Sequence, residues 1–177
     1  MSKGEFLTRV TIWLTLAGYF AATVLIAISR DRHDFERYFR LARLIWSVAC
    51  VSLLVHVAFA YHFYHHWSQE SVYRETARQT ADVTGINWGG GVYFNYVVMA
   101  GWIIDAAWWW RGVDAWRKRP LWITAAWQAF LIFMIFNAMV VFKTGALRMI
   151  GIVMCFVVCS MWLYSSAKGS RDELPQQ

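Results

Sequence analysis

Proline and charge are both scarce in this sequence. Only two of the 177 residues are proline and 16% are charged, whereas soluble domains carry about 25% charged residues. A Pro/Ser-rich stretch, a low-complexity tract and an internal repeat are all missing, which excludes a flexible interdomain linker and a repeat architecture. Cysteine is confined to Cys50, Cys155 and Cys159, each inside an apolar run and none in a CxxC pair. That excludes a disulfide framework and a dithiol redox site, and leaves buried thiols. No Ser-His-Asp set with ordered roles and no facing carboxylate pair is present. No motif fixes a reaction, so the sequence leaves open whether the chain is an enzyme.

What is there is apolar. Hydrophobic residues make up 59% of the chain and the mean hydropathy is +0.37, against roughly 45–50% apolar residues in soluble domains. Twelve tryptophans add to this, since indole rings favour the membrane–water boundary. The net charge of +6 comes from short basic clusters between apolar runs, with no basic face along a soluble segment. These clusters read as topology signals, and no nucleic-acid partner is expected. The composition predicts an all-α, polytopic integral membrane protein whose partner is the lipid bilayer.

A bilayer core of about 30 Å needs roughly 20 apolar residues in a helix. Five runs approach this: 10–29, 44–67, 92–110, 121–142 and 146–166. They predict a bundle of about five transmembrane helices forming one domain over 1–177. Run 146–166 is the least regular, with Arg148 near its start, and a four-span chain with a re-entrant or surface-lying C-terminal segment is the alternative. The first run is longer than the roughly 7–15 residues of a signal-peptide core and reads as a true span. A tight turn at Lys143-Thr144-Gly145 separates the last two runs.

Orientation follows from the positive loops. Arg30, Arg32, Arg37, Arg40 and Arg43 follow the first span, and Arg111, Arg117, Lys118 and Arg119 follow the third. In a five-span chain these share one side with Lys168 and Arg171. The other side holds Lys3, Arg9, Arg74, Arg78, Lys143 and Arg148. Because positive loops stay cytoplasmic, the N-terminus is expected outside and the C-terminus inside, in a bacterial inner membrane. Trp108, Trp109, Trp110, Trp116 and Trp122 then form a cytoplasmic belt, with Trp67 and Trp88 at the other boundary. The outer loop, 68–91, should contain a short helix: Val72, Thr76, Thr80 and Val83 recur at helical spacing, Glu70 and Arg74 form an i,i+4 pair, and Gly85 is a natural stop. Gly89-Gly90-Gly91 lacks the strand and the Lys-Ser/Thr of a phosphate loop, and reads as a permissive return into the membrane.

The residues able to carry chemistry centre on the end of the second span. His62 and His66, four apart, would share a helix face with Glu70, and His65 lies on the same broad side. Such imidazoles beside a carboxylate can hold a transition metal: zinc, iron or copper. The HxxHH spacing of His62, His65 and His66 resembles one histidine box of membrane fatty-acid desaturases and hydroxylases. Those enzymes need several boxes, and with five histidines in the chain no membership follows. The competing reading is a rim of interfacial histidines beside Tyr61, Tyr64 and Trp67. His56 lies about eleven residues, roughly 16 Å, below the boundary. Haem b is the cofactor to weigh there, with His56 as one axial ligand, against a histidine satisfied by hydrogen bonding inside the bundle. Asp105, the one acidic residue in a span, must be paired, protonated or wet, with Arg111 or another loop arginine within reach. Asn95 and Asn137 fall at a depth close to His62, so an outward polar pocket of His62, His66, Asn95 and Asn137 is expected to be geometrically allowed. Small residues in helical register, Gly18 with Ala22 and Gly151 with Cys155 and Cys159, favour close helix packing.

Function is expected to be that of a small accessory or scaffold protein with an outward histidine-rich rim that binds a metal or a partner, alongside other membrane subunits or a second copy. The alternative is an oxidoreductase or cytochrome-like subunit using metal or haem at the span-two histidines. A transporter is disfavoured by the lack of repeats and broken helix pairs.

Overall fold

The computed structural model describes residues 2–141 and 145–172, with side chains through 161. The described chain is all-helical: α1 (Lys3–Ser29), α2 (Phe35–Tyr64), α3 (Gln69–Thr84), α4 (Gly91–Trp109), α5 (Val113–Arg117), α6 (Leu121–Phe136), a π-helical turn (Asn137–Val141) and α7 (Ala146–Asp172). Among the described residues three helices are long and apolar enough to cross a membrane: Lys3–Ser29, Phe35–Tyr64 and Leu121–Val141. α4 has 19 residues, but Asn95, Asp105 and its many aromatic rings keep it less apolar. The turn expected at Lys143-Thr144 and the tail beyond Asp172 lie outside the described residues, and Gly145 has φ 66°.

The surface carries the signature of a lipid-facing chain. Along α2, Leu44, Val48 and Val51 are 51%, 62% and 58% exposed, a stripe at helical spacing that would be costly in water. The hydroxyls of α1 are turned back onto its own backbone. Thr8 Oγ1 donates to Gly4 O at 2.8 Å, Thr11 Oγ1 to Leu7 O at 2.9 Å and Thr15 Oγ1 to Thr11 O at 3.0 Å. These three hydroxyls are thereby satisfied without water, as an apolar surrounding requires.

Packing divides the chain into two compact units, Met1–Tyr19 with Arg43–Arg119, and Phe20–Ala42 with Pro120–Gln177. In the first, α1 runs antiparallel to α2. A Cβ added at Gly18 would lie 2.8 Å from the Ala49 Cβ, and one at Gly4 2.6 Å from the Phe63 ring, so the absence of a side chain sets how close the two helices come. α4 runs antiparallel to α2 through a tryptophan cluster. The Trp46 ring stacks on Trp109 at 5.3 Å and meets Trp102 at 4.9 Å and Tyr19 at 5.7 Å. Trp46 is 1% exposed.

α3 forms where expected. Ser68 caps it, its Oγ accepting from Ser71 N, and Gly85 closes it at φ 77°. Val72 and Ala77 face inward, while Glu70–Arg74 (3.6 Å), Glu75–Arg78 (2.6 Å) and Arg78–Asp82 (3.6 Å) pair on the outer face. The glycine run after it serves close packing: a side chain at Gly89 would strike the ring of Tyr73.

In the second unit α7 lies on the π-helical turn. A Cβ at Gly151 would stand 2.6 Å from the Met139 Cβ, the close approach expected of that small-residue position. Met139, Val140 and Leu131 are buried there, and Phe35 packs on Phe39 at 6.1 Å.

Candidate functional site at the α2–α3 elbow

The helix expected to run through 67 stops at Tyr64, and this separates the histidines. His66 (φ 47°) and Trp67 (φ 60°) both adopt the left-handed conformation, a region that glycine usually fills at a helix end. The turn closes through Trp67 N–H donating to Tyr61 O at 3.1 Å and Ser68 N–H donating to His65 O at 2.8 Å. The helical register linking His62, His66 and Glu70 is therefore lost: they lie on α2, in the turn and on α3. Among the described residues no three His, Cys, Asp or Glu side chains come together as metal ligands.

A different polar cluster occupies the elbow. The hydroxyls of Tyr61 on α2 and Tyr96 on α4 each donate to Gln69 Oε1 at 2.6 Å, and the two hydroxyls also contact each other. Tyr61 further supports the turn with its ring, 5.9 Å from Trp67 and 6.2 Å from His65. His65 Nδ1 lies 3.2 Å from Ser71 Oγ. His62, His66 and Glu70 are exposed, and Trp67 is 66% exposed. The elbow thus has a hydrogen-bonded base and an exposed tip. On α3, hydrogen bonds from Arg78 and then Gln79 hold the Glu75 carboxyl below the usual carboxylate range, with the charges of Arg78 and His65 acting in the same direction.

His56 lies away from this cluster. Its Nδ1 is 2.9 Å from Thr8 O, and a carbonyl only accepts, so Nδ1 carries the proton and the ring ties α2 to α1. Asp105 pairs with Arg119, and both side chains are buried, 3% and 7% exposed. Trp46 and Trp109 face the carboxylate, although the Trp46 Nε1 and the Arg119 Nε complete no hydrogen bond. Arg119 reaches Asp105 because Gly112, at φ 99°, folds the chain back into α5. Asn95 is exposed. Asn137 donates through Nδ2 to Phe133 O of its own helix at 2.8 Å, the local use of an amide next to a π-helical turn.

Tyr61, Gln69, Tyr96 and Ser71 were not singled out from the sequence. Tyr61 adjoins the histidines and could have been, but nothing local joins Gln69 to Tyr96, 27 residues away. Comparison of the chain with protein-family models, with curated proteins and with solved structures found no match.

Proposed function

We propose that the chain is an accessory or scaffold component of a bacterial inner-membrane assembly, with five spans, its N-terminus outside and the α2–α3 elbow docking a partner protein at the outer surface. The observation that carries this is the left-handed pair His66–Trp67. Each non-glycine residue held there costs on the order of 1–3 kcal/mol, and such strain gathers at functional positions. Here it is spent on an exposed tip: an indole and an imidazole that bury little and stand on the Tyr61–Gln69–Tyr96 base. Exposed tryptophan on a fixed turn is the kind of anchor that dominates protein interfaces.

A photocrosslinking side chain in place of Trp67 tests this in cells. One discrete protein adduct is expected, absent when the same group replaces lipid-facing Val48. His66→Gly should weaken the adduct while raising stability by about 1 kcal/mol through relief of strain. Adducts that are diffuse, or indifferent to His66→Gly, would sink the docking role. The redox alternative is tested by an optical spectrum and metal analysis of the detergent-purified protein. A colourless sample without stoichiometric metal is expected, and a Soret band or about one metal per chain would replace this reading with the cytochrome-like one.

A further inference from the structure

The α4–α5 elbow holds a second polar site, at the far end of α4 and built on different chemistry. It contains an open, shallow cleft of about 400 Å³ lined by Trp108, Arg111, Asp114, Ala115 and Lys118. Arg119 turns inward to Asp105, which leaves Arg111 and Lys118 to the cleft. Both are exposed, and neither forms an ion pair among the described residues. Asp114 and Lys118 stand four apart in sequence and do not pair either.

The tryptophan is fixed and saturated. Its Nε1 donates to Ala115 O at 3.1 Å, and the guanidiniums of Arg111 and Arg119 lie 5.7 and 5.4 Å from its ring. Trp108 is therefore an apolar wall without a free donor, and its ring is already engaged by cations. The elbow leads directly into Leu121–Val141, a helix able to cross a membrane, whose first residues Leu121 and Trp122 are 71% and 72% exposed. In the same unit as the elbow, Arg43 lies 4.2 Å over the Trp110 ring. Basic and indole groups together at the start of a span mark headgroup depth.

We propose that this cleft binds a phospholipid headgroup, its phosphate diester held by Arg111 and Lys118 and its amine by Asp114. A phosphate diester alone would satisfy the two cations and leave the carboxylate facing an anion. An ethanolamine headgroup answers all three, because its ammonium donates to Asp114. Choline has no N–H to donate, and the Trp108 ring that would attract a quaternary ammonium is already occupied by guanidiniums.

The intact chain, purified in detergent, is titrated with phosphatidylethanolamine, phosphatidylglycerol and phosphatidylcholine of identical acyl chains, and bound lipid is counted by native mass spectrometry. Phosphatidylethanolamine is expected to bind about tenfold more tightly than phosphatidylcholine, the loss of one charged contact. Arg111→Gln with Lys118→Gln should weaken it about thirtyfold. Asp114→Asn should abolish the preference over phosphatidylglycerol while phosphatidylglycerol binding is retained, which also shows that the variant is folded. His66→Gly should leave all three affinities unchanged, so the two elbows are tested separately. Equal binding by the native protein and the double variant, or no preference for ethanolamine over choline, overturns the proposal. Competition by chain-free glycerophosphoethanolamine at the same concentration as the lipid would also overturn it, in favour of a soluble phosphate compound.

Discussion

Arg119 reaches back 14 residues to Asp105, and the pair is enclosed by indole rings. A buried ion pair is weak evidence of stability, since desolvation offsets attraction, but removing one partner leaves an uncompensated charge at a cost of about 3–5 kcal/mol. Asp105→Asn and Arg119→Gln are each expected to lower unfolding free energy in detergent by that order. The double replacement Asp105→Leu with Arg119→Met, which removes both charges, should cost less than either single change. Unfolding by titrated denaturing detergent measures this, and single losses that simply add would show that the charges do not depend on each other. The sequence announced the problem and left the answer open: an acidic residue in a span needs a partner, but four basic residues follow α4. Which of them turns inward is decided by the backbone at Gly112, a geometry that no local spacing encodes.

Helices meet here at positions defined by what is missing from the side chain. Gly18→Ala adds a methyl 2.8 Å from the Ala49 Cβ, and neither helix can yield without moving its backbone. Overpacking of this kind costs about 1–3 kcal/mol, against a gain of about 1 kcal/mol in helix propensity. Gly18→Ala should therefore be neutral to destabilising and Gly18→Val clearly destabilising. Ala49→Gly in the Gly18→Ala background should restore the fit; a melting temperature that stays low would show that the α1–α2 contact is not the cause. α3 depends on charge instead. Because the Glu75 carboxyl is held below its ordinary range, its contribution is full above the unfolded value of about 4.3 and is lost as pH falls through the folded value. Exposed pairs are worth about 0.3–0.5 kcal/mol, so α3 amides should lose a modest part of their hydrogen-exchange protection below about pH 4, after correction for intrinsic rates. Arg78→Gln should remove most of that pH dependence, with His65 and Gln79 left in place. The end of α3 was legible because Gly85 closes it. The end of α2 was not, since no glycine or proline interrupts the aromatic run through Trp67, and the helix stops because His66 and Trp67 take a conformation their side chains do not favour.

At the scale of the molecule, membrane character was legible from hydropathy alone, and among the described residues three helices meet the length and apolarity of a span. The remaining two runs resist the same argument. α4 substitutes tryptophan and tyrosine for aliphatic residues, and α7 carries Arg148 near its start. Counting spans therefore turns on charge asymmetry. Five spans put the basic segments 30–43 and 111–119 on one side, with the termini on opposite sides, whereas four leave the termini together. Alkaline phosphatase and green fluorescent protein fused after Gln177 discriminate these arrangements. The five-span reading expects fluorescence without phosphatase activity at the C-terminus and an N-terminal tag accessible to external protease. Fusions after Trp88 should give the opposite result, phosphatase-active and dark, because the five-span reading puts the α3 loop on the outer side. Both termini on one side would remove α4 or α7 from the set of spans. Loss of α4 would be the more consequential result, because it would carry one of the two elbows away from the membrane surface. Neutralising Arg111, Arg117 and Lys118 together should then erode the fixed orientation of the five-span chain, giving mixed reporter signals, since positive loops favour the cytoplasm and the five-span reading uses those charges to hold the start of Leu121–Val141 there.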